Sequence, residues 1–236
     1  MSSFKRRGLI LGGTAASLAF VLAGCVGTGT PGPVATATVT PGQPVAIAGL
    51  EPKYSAMYGP VTTGPFPIPA VKASIIKPGF VRKLVEYKTT EPVGTIVIDP
   101  HAHYLYHVEA NGMAMRYGVG VGREGFVWKG EAIIKTKQEW PDWYPPKEMI
   151  ERTPGMAKSL TTLQSGVGMH GGPHNPLGAR AMYLWQGNKD TLFRIHGTTE
   201  PQSIGTSASS GCIRMINQDA IDLYSRVSEG TRVVVL

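Results

Sequence analysis

Residues 94–122 read GTIVIDPHAHYLYHVEANGMAMRYGVGVG, and their pattern decides the fold class. Gly94 to Asp99 is a short apolar strand, and in the next segment Tyr104, Tyr106 and Val108 alternate with His103, Leu105 and His107, the period of two that a strand requires. Asn111-Gly112 supplies the left-handed backbone of a hairpin turn. On the returning strand Met113, Met115, Tyr117, Val119 and Val121 share one face, and Ala114, Arg116, Gly118, Gly120 and Gly122 the other. Three alternate glycines leave room for something to lie against that face. A dinucleotide-binding loop is a poor reading of Gly118–Gly122, because the alternation runs through it and no helix opens after it.

Composition agrees with this. Of 236 residues, 30 are glycine and 19 proline while 17% are charged, a balance that suits short strands joined by turns. The expected fold is mainly β, with a few short helices.

Toward the C-terminus, Phe126–Trp128 and Ala132–Lys135 are again strand-like. Trp140–Pro146 breaks the pattern with aromatics that either line a groove or cap the core, and Pro146–Arg152 can start a helix. Gly166–Gly178 reads as loop throughout. Its His170 and His174 are no helical ligand pair, because Gly171, Gly172 and Pro173 lie between them. His101, His103 and His107 have no nearby carboxylate or cysteine that would complete a metal set. No metal and no cofactor are expected, and chelators should leave activity untouched. Ala179–Trp185 and Thr191–His196 are the next strands. Asn217 is placed to cap a helix from Gln218 to about Ser228, with Gly230 beyond its end, and Thr231–Leu236 is a last strand.

Toward the N-terminus, residues 71–93 are transitional, a short helix or strand on the domain edge. From Val26 to Ala70 nine prolines and little hydrophobic periodicity suggest an extended tether. Lys5-Arg6-Arg7, an apolar run of about 14 residues and Leu22-Ala23-Gly24-Cys25 form an export signal. That run falls short of the roughly 20 residues that span a bilayer. Leu-Ala-Gly-Cys looks like a bacterial lipobox, which implies cleavage after residue 24 and a lipid on Cys25. Arg6-Arg7 also resembles a twin-arginine signal. Loss of residues 1–24 leaves 20 basic and 16 acidic residues, a net charge of +4. With no arginine-rich run, nucleic acid is not an expected partner, whereas an anionic wall polymer is.

The chemistry concentrates in residues 195–217, IHGTTEPQSIGTSASSGCIRMIN. Cys212 is the one cysteine outside the export signal, left without an intrachain partner in an oxidising compartment. His196 ends a strand upstream, with fifteen residues between it and Cys212. A thiol is mostly protonated at neutral pH, and a neighbouring imidazole can take its proton and return it to a leaving amine. The backbone N–H groups of Gly211 and Cys212 are candidates for an oxyanion hole, and Arg214 for holding a thiolate or a substrate carboxylate. On residue type alone, a buried cysteine and a structural histidine explain the pair better.

His196-Gly197-Thr198, Ser203-Ile204-Gly205 and Ser209-Ser210-Gly211-Cys212-Ile213-Arg214 resemble the signature of the bacterial L,D-transpeptidase catalytic-domain family. Tyr117–Arg123 and Asn175–Gly178 resemble its upstream segments, so the likeness covers residues 94–236. It implies a sandwich-like β domain in which Cys212 attacks a peptidoglycan stem tetrapeptide, releases D-alanine as a thioester forms, and passes the acyl group to an amine of a second stem. It makes His196 the base, Gly197, Gly211 and Ser209 the supporting backbone, and Thr198, Ser210 and Arg214 substrate contacts. Ser210 departs from the pattern, since many members carry histidine there. Water or a protein lysine as acceptor, giving a carboxypeptidase or a wall-attachment enzyme, and a non-catalytic wall-binding lipoprotein are the alternatives. The expected setting is the periplasm or cell envelope, with the outer membrane favoured and a role in wall biogenesis and cell shape.

Overall fold

The computed structural model describes residues 52–123 and 128–236. The expected signal peptide, the lipidated Cys25 and the first half of the tether lie outside the described residues.

Among the described residues, thirteen strands and three α-helices follow in chain order. Helix α1 (Pro52–Tyr58) precedes β1 (Lys83–Glu86), β2 (Ile96–Asp99), β3 (Tyr104–Val108), β4 (Met113–Gly118), β5 (Val121–Gly122) and β6 (Gly130–Glu139). Then come α2 (Lys147–Arg152), β7 (Thr161–Leu163), β8 (Gly166–Gly168), β9 (Arg180–Gln186), β10 (Lys189–His196), β11 (Ser207–Ser209), β12 (Ile213–Arg214), α3 (Asn217–Arg226) and β13 (Arg232–Val235). Nine strands form one mixed sheet in the order β1-β4-β3-β2-β13-β6-β9-β10-β12.

The sheet curls until its ends meet. Just past β4, the Gly120 N–H donates to the Arg214 carbonyl at 2.9 Å, and the Arg214 N–H donates back to the Gly120 carbonyl at 2.8 Å. The inward residues of each strand therefore face one enclosed core. Ile96 and Ile98, Leu105, Tyr117, Ile134, Met182 and Leu184, Ile195 and Val233 are all fully buried, and Ala220 and Leu223 of α3 pack with them. The mainly β domain expected from strand patterning and composition, which the family resemblance made sandwich-like, is the one observed.

Several segments differ from expectation. Gly166–Gly168, the start of the segment read as loop, form β8, paired antiparallel with β7. Helix α3 begins at Asn217, whose side chain makes no cap bond to it. The tether reading fails for 52–70: Tyr58 is fully buried, and with Val71, Ile76, Val81, Ile204 and Ile216 it forms a second apolar cluster. A few well-placed anchors do here what periodicity does in a regular element. Residues 71–93 do supply an edge strand, β1, paired antiparallel with β4.

The glycine face of β4 is filled from this same segment. A Cβ on Gly118 would stand 2.4 Å from the Phe80 Cβ, and one on Gly205 2.1 Å from the Phe80 ring. A Cβ on Gly120 would meet the Ser203 carbonyl at 2.8 Å. The room left by the glycines is taken by the chain itself.

Candidate active site

The curl brings the ends of β10 and β12 side by side in parallel, Ile195 against Ile213 and His196 against Arg214. Side chains alternate along a strand, so the faces follow from this register. Ile195 and Ile213 point into the core. Arg194, His196 and Arg214 share the opposite face. Cys212 stands two residues before Arg214, just ahead of β12, and so falls beside the Arg194–His196 end of β10, where the Arg194 backbone and charge act on its thiol.

A bulge in β10 shapes the thiol's other side. Asp190 pairs with Trp185 but Arg194 with Tyr183, so the bulged strand carries two extra residues. The Asp190 carboxylate accepts the Leu192 N–H at 2.8 Å, and Leu192 takes φ +64. This exposes the Leu192 side chain and turns its carbonyl to within 3.9 Å of the Cys212 Sγ. Arg194 forms two hydrogen bonds to Asp190, at 2.7 and 2.8 Å, and lies 4.4 Å over the Tyr183 ring. Asp190, Leu192, Arg194 and Tyr183 were not foreseen as site residues, because a bulge erases the alternation that would have placed them.

His196 is buried, and its Nδ1 lies 2.5 Å from the Gly197 carbonyl. A carbonyl only accepts, so Nδ1 carries the hydrogen and Nε2 keeps the lone pair of a base. Burial pulls the imidazole down to about 4, opposed by the Gly197 carbonyl and reinforced by the charges of Arg214 and Arg194. Burial pushes the Cys212 thiol above its ordinary value, although the Arg194 backbone N–H and the Arg194 and Arg214 charges favour the thiolate. The thiol is partly exposed. Burial thus favours the uncharged form of each group.

The remaining expected residues divide. Ser209 is buried beside the nucleophile, donating from Oγ to the Cys212 carbonyl at 2.7 Å and accepting the Gly211 N–H at 3.1 Å. That bond engages one of the two N–H groups expected to form the oxyanion hole. Thr198, expected to touch substrate, is instead buried in its own loop, where its Oγ1 accepts the Glu200 N–H at 3.0 Å. Arg214 is paired with Glu200 at 2.8 Å, and Ser210 is exposed. Of the other histidines, His103 bonds Ser207 through Nε2 and His170 lies 3.4 Å from Asp142.

One buried residue holds the loop above the site. The Asn175 Nδ2 donates to the carbonyls of Pro141, Met169 and His170 at 3.0–3.1 Å, and its Oδ1 accepts the Leu177 N–H at 2.9 Å. This gathers residues 140–178 into one wall. Between it and the sheet lies a cleft of about 540 Å³ lined by Gln138, Trp140, Tyr144, Gln164 and Tyr183. The Tyr183 ring connects the cleft to Arg194 and so to Cys212.

A curled, mainly β domain with a free thiol and a buried imidazole on adjoining segments points to one class, that of the L,D-transpeptidase catalytic domains. The L,D-transpeptidase catalytic-domain family profile (YkuD) matches residues 94–235, and the chain belongs to this family. It is 41% identical over 142 residues to the putative L,D-transpeptidase YqjB of Bacillus subtilis, covering 59% of this chain and 69% of that protein. It is 30% identical over 135 residues to the probable L,D-transpeptidase ErfK/SrfK of Escherichia coli, covering 56% of this chain and 40% of that protein. A solved chain from Brucella melitensis, described as a probable carnitine operon oxidoreductase, is 55% identical, covers 68% of this chain and 96% of that one, and superposes at a TM-score of 0.44. In the present chain the Gly118–Gly122 run lies in β4 and β5, not at the start of a helix.

Proposed function

We propose that the protein is a peptidoglycan L,D-transpeptidase in which Cys212 is the nucleophile and His196 the base. The observation that supports this reading is the parallel pairing of β10 with β12, which puts His196 opposite Arg214, two residues from Cys212, together with the bond from the His196 Nδ1 to the Gly197 carbonyl, which makes Nε2 the ring's basic nitrogen.

The stem tetrapeptide lies along the cleft past Tyr183, with its third-residue carbonyl at Cys212. Sγ bonds to that carbonyl carbon as its proton passes to His196 Nε2, and the developing oxyanion is met by the Cys212 N–H. Collapse breaks the bond to the terminal D-alanine, whose amine takes the proton from His196. The thioester is then attacked by an amine of a second stem, which loses its proton to His196. The thiolate recovers that proton, and a cross-link between two third residues is released.

The proposed setting is the cell envelope. A lipid on Cys25 holds the domain near its substrate, and palmitate labelling that disappears in Cys25→Ser tests this. For the chemistry, purified tetrapeptide muropeptides are incubated with the protein and followed by mass spectrometry. Cross-linked dimers with free D-alanine are expected, and Cys212→Ala abolishes both. Tripeptide without dimers would make water the acceptor. Unreacted tetrapeptide from both wild type and Cys212→Ala, with wall binding retained, would sink the enzymatic reading.

A further inference from the structure

The His196 Nδ1 is bonded to the Gly197 carbonyl, the Leu177 backbone also acts on the ring, and the Gly197 carbonyl is held by a residue with no part in the chemistry above. Asn217, the first residue of α3, lays its carboxamide in a slot between two glycines. A Cβ on Gly197 would come within 2.1 Å of the Asn217 Oδ1, and one on Gly178 within 2.2 Å. Oδ1 accepts the Ala179 N–H at 2.9 Å, and Nδ2 donates to the Thr198 carbonyl at 3.0 Å. On its other side the Gly197 N–H donates to the Arg180 carbonyl at 2.9 Å. The peptide unit whose oxygen receives the His196 proton is thus clamped before and after, by β9 and by Asn217.

The clamp has its own foundation. The Arg82 guanidinium donates to the Gln218 carbonyl at 3.1 Å and pairs with Asp219 at 3.3 Å. The Gln218 Nε2 donates to the carbonyls of Gly59 and Pro69 at 3.0 Å each. The start of α3 is therefore fixed from the N-terminal segment, and Asn217 projects from a held base.

We infer that Asn217 is a positioning residue: by fixing the Gly197–Thr198 backbone it sets the tautomer and the aim of the His196 ring toward Cys212. The inference rests on the reading of His196 as base. A residue at the root of a helix that bridges two glycine-only backbone segments has a role a cap would not need: Ile216 holds the cap position, and the Asn217 side chain bonds Ala179 and Thr198. The glycines at 178 and 197 follow from the same contact, since any side chain at either position would displace the carboxamide.

The test uses Asn217→Ala, which removes both bonds, and Asn217→Asp, which keeps the acceptor toward Ala179 and loses the donor toward Thr198. Three readouts are taken on the full chain: kcat and KM on tetrapeptide, the melting temperature, and the ¹⁵N chemical shifts of the His196 ring at pH 7. Wild type is expected to show a single Nδ1–H tautomer. Both variants should show mixed tautomers and lose roughly 10–100-fold in kcat with KM within about twofold, while Asn217→Asp keeps more of the melting temperature. The charges of Arg194 and Arg214, which also act on the ring, are untouched by either change. Lowered melting temperatures with an unchanged tautomer and unchanged kcat would overturn the inference and leave Asn217 a purely structural residue. The ring shifts need no substrate, so the outcomes separate: absence of turnover in wild type counts against the transpeptidase reading alone, and a tautomer that ignores Asn217 counts against this inference alone.

Discussion

At the scale of single residues, one physical cause acts on both halves of the reactive pair. Burial raises the Cys212 thiol and lowers the His196 imidazole, so a preformed thiolate–imidazolium pair is disfavoured. Two results follow for reactivity. Iodoacetamide should alkylate Cys212 more slowly at pH 7 than it alkylates a free thiol, with a rate still climbing above pH 9, and the acid limb of kcat/KM should fall near pH 4 rather than near 6.5. A fast, pH-independent alkylation between pH 6 and 8 would mean that the ion pair is present after all. The same shifts bear on stability. An unfolded His196 ring binds a proton below about 6.5 while the folded ring waits until about 4. Its contribution to stability is therefore present above 6.5 and lost as pH falls toward 4. Asp219 runs the other way: burial raises it to about 7 despite Arg82 and the Tyr58 hydroxyl. Its contribution is present below about 4 and lost as pH rises through 7. The two effects oppose each other over one window, so wild-type stability should vary little between pH 4 and 6.5 on their account. In Asp219→Asn only the His196 effect remains. Urea unfolding of that variant should show stability falling by up to about 1.4 kcal/mol per pH unit on acidification through that window. A variant as flat as wild type would contradict this assignment.

At the scale of elements, the sequence is informative where a residue's reason lies within its own strand and silent where it lies elsewhere in the chain. The alternation in β3 and β4, the turn at Asn111-Gly112 and the strand ending at His196 are local patterns, and each is found as read. Gly118 and Gly205 are glycine because of Phe80, 38 and 125 residues away, and no window of sequence holds both facts. Asn217 has the residue type and position of a helix cap, yet its partners Ala179 and Thr198 come from two other segments. Motif order singled out Cys212 and His196 through a family resemblance, but the bulge that turns Leu192 toward the thiol breaks the very period by which strands are read. The Phe80 cradle yields a prediction at this scale. Phe80→Ala empties the space over β4 and Gly205, and since the ring is only half-buried it should cost about 2–3 kcal/mol, less than the 3–5 of a fully enclosed one. Gly205→Ala meets the ring at 2.1 Å from a backbone at φ +76, so it strains the loop that carries Cys212. Chemical denaturation should show both losses, and turnover at a temperature where both variants are folded should fall further for Gly205→Ala. Equal turnover in the two would mean that the loop absorbs the clash without moving the thiol.

At the scale of the whole molecule, the family match begins at residue 94, but the folded unit begins earlier. Residues 52–86 contribute Tyr58, Val71, Ile76 and Val81 to the cluster that covers Ile204 and Ile216, the edge strand β1, and the Arg82 and Tyr58 partners of Asp219. Burying four such side chains is worth about 1.5–3 kcal/mol each, which together approaches the 5–15 kcal/mol of net stability typical of a domain. Part of that is offset by the entropy of ordering the segment. Removing it would also leave β4 as an open sheet edge and Asp219 buried without its cation, two changes that favour aggregation and local unfolding. A chain starting at Gly94 should therefore unfold at markedly lower urea than one starting at Pro52, and should elute partly as aggregate on size exclusion. Arg82→Ala in the longer chain isolates the electrostatic share. By removing the partner of a buried carboxylate it should reproduce about 3 kcal/mol of the loss, less whatever Asp219 recovers by taking up a proton. Should the chain from Gly94 unfold at the same urea concentration as the longer one and stay monomeric, the segment before it would be an appendage. If instead stability falls as expected, residues 52–93 belong to the catalytic domain as its supporting wall, and the catalytic loop is held from outside the region by which the family is recognised.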